Sequence, residues 1–155
     1  MKIHEDKKVD ILLNALDERY KSIHTIRERV QSVSIWILGI LIAASSWLFQ
    51  SSICFSMYHK FFSIILLLII WATLRWFYFK DLQNGFNSQM RVTAKIEDSL
   101  GLFDGKIYSE SEDSLYPKSW KKAGQKDCEG KFFDNTHNLL IIGFGILSFV
   151  ILLLK

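Results

Sequence analysis

The chain has 155 residues, enough for about one domain. Half of them are hydrophobic and 14% aromatic, while one Pro, eight Gly and two Cys exclude collagen-like, Pro/Gly-rich disordered and disulfide-stapled chains. Nineteen Lys and Arg against sixteen Asp and Glu leave a net charge of +3, too balanced for a dedicated nucleic-acid binder, so no nucleic-acid partner is expected.

The apolar residues are clustered, and the clusters predict an all-α integral membrane protein with three transmembrane helices. Residues 1–32 are charged and polar with no early apolar run, so they read as a folded cytoplasmic segment and not as a removable signal. Within them Val9, Leu12, Leu16, Tyr20, Ile23, Ile26 and Val30 recur every three or four positions, the period of an amphipathic helix. No Gly or Pro precedes Gly39, so this helix is expected to run unbroken into the first span, 33–50. No Lys, Arg, Asp or Glu occurs from Val30 to His59.

One face of span one carries Ser32, Trp36, Gly39, Ala43, Ser46 and Gln50, at alternating spacings of four and three. Small residues let helices approach closely in lipid, and Ser or Gln can hydrogen-bond across the contact. Two readings fit: packing inside one protomer, or a seam between protomers that lines a pore in a homo-oligomer. Leu41, on another face, is expected to point toward lipid.

An external loop, 51–60, leads into span two, 61–79, whose one charge, Arg75, lies about a turn from its end. An intramembrane charge is a functional candidate, but near a span end its stem can snorkel to the headgroups. No Asp, Glu or Lys lies in the apolar core of any span, so a proton relay or coupled-ion transporter has no carrier. Span two is expected to continue as a cytoplasmic helix, 80–100, with Leu82, Phe86, Met90, Thr93, Ile96 and Leu100 in register and Gly101 as its stop. Two spans joined by so short a loop are antiparallel neighbours. Their cytoplasmic extensions are therefore expected to pack through Leu16, Tyr20, Ile23, Phe86 and Ile96.

Residues 101–134 hold Gly101, Gly105, Pro117, Gly124 and Gly130, an acidic cluster at Glu110, Glu112 and Asp113, and a basic one at Lys118, Lys121 and Lys122. They read as a long, mostly irregular cytoplasmic loop anchored by Leu115, Tyr116 and Trp120. Such a loop is either a tether or a site for a cytoplasmic protein or small signalling ligand. The third span, 135–155, has a sixteen-residue apolar core, Leu139 to Leu154, and crosses only if Asn135 to Asn138 join the helix.

Seventeen Lys and Arg fall on the side of the N-terminus and long loop, against Lys60 and Lys155 on the other. The positive-inside rule then reads the N-terminus and long loop as cytoplasmic and the C-terminus as external. Trp36, Trp47, Tyr58, Trp71, Trp76 and Tyr78 lie near span ends, as an aromatic belt does.

No catalytic chemistry is legible. There is no HExxH and no Gly-rich phosphate loop, and Cys54 and Cys128 have no metal-site spacing. His4, His24, His59 and His137 are scattered, so no cofactor or metal is expected and the chain does not read as an enzyme. Arg19 and His24 fit the R-x(4–6)-H pattern of HEPN ribonucleases, a pattern loose enough to arise by chance in a chain of this length.

The run ALDERYKSIHTIRERVQSV before span one and FYFKDLQNGFNSQMRV after span two give a layout that resembles SLATT-type effectors of nucleotide-signal defence systems. The likeness covers residues 6–100; the third span lies outside that plan, and no residue role carries over. It implies two spans with helical extensions that oligomerise and breach the inner membrane. Two functions are therefore expected. One is a self-associating membrane anchor or scaffold for a cytoplasmic partner. The other is a membrane-perturbing or pore-forming effector of a defence or toxin system.

Overall fold

A computed structural model describes residues 4–51, 54–107, 113–125 and 131–154. Glu110, Glu112, Cys128 and Gly130 lie outside the described residues. The regular elements are all helical. They are α1 (Glu5–Gln50), α2 (Met57–Thr73), a π-helical segment (Leu74–Phe79), α3 (Lys80–Ser99), a 3-10 turn (Lys118–Lys122) and α4 (Phe132–Leu153). Among the described residues no strand forms; Gly105 and Ser114 make one isolated antiparallel bridge. Three helical stretches are long and apolar enough to cross a membrane: α1, the continuous run Met57–Ser99, and α4. The 22 residues of α4 extend about 33 Å, because the helix starts at Phe132, ahead of Asn135. That length matches a hydrocarbon core of roughly 30 Å.

The chain divides into two compact units. One, the span unit, holds Glu28–Leu82 and Lys131–Lys155; the other, the hairpin unit, holds Met1–Arg27 and Gln83–Gly130.

The span unit is centred on Leu41, Phe144, Leu147 and Ile151. Ile37, Ala44 and Leu48 of α1 and Ile64, Leu67 and Trp71 of α2 pack against them. Leu41 is 5% exposed, which corrects its expected position toward lipid. The reason is that lipid is as apolar as the core, so hydrophobicity does not tell the inner face of a span from the outer. The inner face of α1 instead contains Ser34 and Ser45, both buried. Each satisfies itself on its own helix: Ser34 Oγ donates to the Val30 carbonyl at 2.6 Å and Ser45 Oγ to that of Leu41 at 2.7 Å. α4 meets this face at Gly143. A Cβ there would lie 2.8 Å from Leu38 Cδ1 and 3.1 Å from Leu41 Cδ1, so the missing side chain sets the close approach. At the far end Lys60 Nζ donates to the Leu152 carbonyl at 3.2 Å and to that of Leu154. An ammonium thus caps the negative end of α4, and the start of α2 lies beside the end of α4.

In the hairpin unit Leu16 and Ile23 of α1 are buried, and Phe86 and Ile96 of α3 are half-buried. The most buried positions of α3 are Asn87, Thr93, Ala94 and Glu97, mostly polar. α3 ends on Gly101, at φ +74°. The Gly101 N–H bonds the Asp98 carbonyl at 3.0 Å and the Leu102 N–H that of Glu97 at 3.1 Å, so two otherwise unpaired carbonyls are satisfied. Beyond it the anchor is Phe103, 2% exposed. Tyr116 packs against Phe103 at 6.3 Å between ring centroids. Leu115 and Trp120, expected as anchors, are exposed instead. The returning chain closes on α3 at Gly124, at φ +77°, where a Cβ would stand 2.4 Å from the Asn87 carbonyl oxygen and 3.1 Å from the Arg91 nitrogen.

Candidate functional site

The six stripe residues of span one all face outward. Ser32, Trp36, Gly39, Ala43, Ser46 and Gln50 are exposed, Trp36 by 72%. Nothing lies within 4 Å of a Cβ built on Gly39. At about 100° per residue, Gly39 and the packed Leu41 project roughly 160° apart. Packing inside the protomer, one of the two readings of this stripe, is therefore not what the fold does with it. The glycine that performs that job is Gly143. Its neighbours in sequence are uniformly apolar, so nothing in the local pattern distinguishes it from Gly145, which meets nothing within 4 Å.

The hairpin unit is braced across its helices. The Tyr20 hydroxyl donates to Glu97 Oε1 at 2.5 Å, although the tyrosine as a whole is 41% exposed. Arg19 Nη1 donates to Gln89 Oε1 at 2.9 Å. Lys121 Nζ pairs with Asp98 at 2.6 Å and fastens the loop to the end of α3. Burial first, then the bond to Glu97 and the neighbouring Tyr116, pushes the Tyr20 phenol far above its ordinary value. It stays protonated and remains a donor. Of the residues expected to join the two extensions, Tyr20 does so through Glu97, and Leu16 and Ile23 are buried on α1; on α3 the buried face is centred on Glu97, Thr93 and Asn87, with Phe86 and Ile96 at its edges. Arg19 and His24, five positions apart, project roughly 140° apart around α1 and do not converge. His24 is exposed, and Arg19 is engaged by Gln89.

Arg75 sits in the π-helical segment, whose widened turn is marked by the Lys80 N–H bonding the Arg75 carbonyl five residues back. Arg75 is exposed. Within electrostatic reach is His137 of α4, whose ring lies against Trp71 at 5.6 Å, tilted by 31°. Hydrophobic pattern alone does not signal the extra residue in that turn. No three His, Cys, Asp or Glu side chains cluster as metal ligands among the described residues. No protein-family model matches the chain, and no curated protein or solved structure matches it either.

Proposed function

We propose that the chain is a small, self-associating inner-membrane protein whose three spans anchor the hairpin unit as a docking site for a cytoplasmic protein or small signalling ligand. In this reading the N-terminus is cytoplasmic and the C-terminus external, as the Lys and Arg distribution favours. The observation that supports self-association is the outward stripe. Ser32, Gly39, Ala43, Ser46 and Gln50 put small and polar groups on a face the protomer leaves uncovered. In lipid, such a face gains most from close contact with another helix.

Gly39→Leu is expected to shift oligomers in mild detergent toward monomer without lowering protomer stability, because the site is open within the chain. Ile40→Phe, exposed but off the stripe, is the control and leaves the oligomer unchanged. Identical oligomer distributions for the two variants and the parent contradict self-association through this face. The polar members Ser32, Ser46 and Gln50 also favour a second reading, the pore-forming effector implied by the likeness to SLATT-type proteins. Induced expression separates the two. A collapse of membrane potential relieved by Gly39→Leu supports the pore; an unchanged potential, with a partner bound through the hairpin unit, supports the scaffold.

A further inference from the structure

Between α2 and α4 the span unit carries a groove of about 390 Å³, lined by Leu67, Leu68, Trp71, Phe144, Gly145 and Ser148. That size falls within the range of about 300–1,000 Å³ typical of small-molecule sites. The lining is apolar along most of its length, and a Cβ on Gly145 would meet nothing, so the space there is left to an occupant. Toward Arg75 the chemistry changes. The Trp71 Nε1–H is buried and has no acceptor among the described residues. A buried donor without a partner costs about 1–3 kcal/mol, a cost that a ligand acceptor removes. One turn further on, Arg75 is exposed and forms no hydrogen bond or ion pair among the described residues. The His137 ring lies against Trp71 at 5.6 Å, within electrostatic reach of Arg75. Trp71 lines the groove and Arg75 follows it by one helical turn, so an orphaned donor and a cation lie on successive turns of the same helix beside an apolar groove.

We propose that this groove binds an anionic phospholipid. The phosphate pairs with the Arg75 guanidinium, whose fork of donors matches it. An ester carbonyl accepts from Trp71 Nε1–H, and one acyl chain lies along Leu67, Leu68, Gly145 and Ser148. Basic pockets between transmembrane helices bind such headgroups, and the unpaired charge of Arg75 supplies the complementarity. The assignment rests on the span unit lying in a bilayer.

Native mass spectrometry of the detergent-solubilised full chain, with phosphatidylglycerol and phosphatidylcholine of identical acyl chains in competition, tests it. Phosphatidylglycerol is expected to be retained about tenfold over phosphatidylcholine, the ratio that 1.4 kcal/mol produces. Arg75→Gln removes that preference. Trp71→Phe, which keeps a ring and deletes the donor, weakens retention several-fold. Gly145→Leu fills the groove and prevents retention of either lipid; if it lowers helix content, Ser148→Phe fills the same groove and is read instead. Equal retention of the two lipids by the parent chain overturns the site. So does a preference that survives Arg75→Gln, or retention that survives both groove-filling variants. Vesicle partitioning keeps the two claims apart: loss of selectivity in a chain that still enters vesicles overturns only the lipid site, whereas failure to enter vesicles overturns the membrane reading as well.

Discussion

In the span unit the buried hydroxyls of Ser34 and Ser45 are bonded to their own helix, while in the hairpin unit Tyr20 and Arg19 reach from α1 to Glu97 and Gln89 of α3. The first arrangement leaves helix–helix contact to shape: Leu38 and Leu41 against the bare backbone of Gly143. The second uses polar side chains to fix register. The self-bonded hydroxyl is common to both units, since the buried Thr93 Oγ1 donates to the Gln89 carbonyl of its own helix at 3.0 Å; what the hairpin unit adds is the pair of cross-helix bonds, as expected if it faces water and the span unit faces lipid. A backbone polar group in hydrocarbon must be satisfied within its helix, and small residues then allow close packing. Where water lies outside, two helices with modest apolar faces gain specificity from paired polar groups.

The largest expected effect is in the hairpin unit, at Gly124. Ala there requires a left-handed backbone and places a Cβ 2.4 Å from the Asn87 carbonyl oxygen. The cost is expected at about 3 kcal/mol. Chemical unfolding followed by Trp120 emission, in a background with Trp36, Trp47, Trp71 and Trp76 changed to Phe, checks it, and an unfolding midpoint equal to that of the same background with Gly124 means that the loop does not close on α3.

Tyr20→Phe is next. It deletes a hydrogen bond to a carboxylate and leaves the buried Glu97 without that donor, at a cost of about 1.5–3 kcal/mol. A pH signature accompanies it. The folded phenol is raised above its ordinary 10.0, so the contribution is complete below pH 10 and is lost as pH rises toward the folded value. The parent should lose stability on the alkaline side more steeply than Tyr20→Phe. Parallel curves above pH 10 mean the hydroxyl is not held by Glu97.

In the span unit, Gly143→Ala should cost about 1–3 kcal/mol by overpacking Leu38 and Leu41, with Gly39→Ala, which meets nothing, neutral to slightly stabilising beside it. Equal thermal stability of the two variants in detergent contradicts the assigned packing face. The smallest effect has the opposite sign. Gly85 is inside α3 with nothing within 4 Å of a Cβ, so Gly85→Ala should stabilise the hairpin unit by up to about 1 kcal/mol. A destabilised Gly85→Ala would show that α3 bends or packs there.

Helical class, the apolar stretches and the stop at Gly101 are legible in the sequence because each depends on local chemistry: period, run length and a residue able to adopt positive φ. Leu16 and Ile23 are legible for the same reason, since the helical period sets them on one apolar stripe and that stripe is buried. Leu41 is not legible. Its neighbours Ile40 and Ile42 are as hydrophobic and are exposed, and only the position of Gly143 on another helix decides which of the three packs. Phe103 escapes notice because it lies in a Gly-rich loop, where Trp120 is the more conspicuous aromatic. The π-helical turn at Arg75 and the Tyr20–Glu97 bond depend on contacts between distant segments, which periodicity does not encode.

If the span unit lies in lipid and the hairpin unit in water, their exposed residues differ in which of them meet water. Val9 and Leu13 in the hairpin unit and Trp36 and Ile40 in the span unit are all exposed, by 46%, 50%, 72% and 64%. Single cysteines at these four positions, with Cys54 and Cys128 changed to Ser, can be treated with a water-soluble maleimide in nanodiscs, where both bilayer faces are open. Full labelling of Val9→Cys and Leu13→Cys is expected, and none of Trp36→Cys and Ile40→Cys until detergent is added. Equal labelling at all four positions without detergent would contradict it.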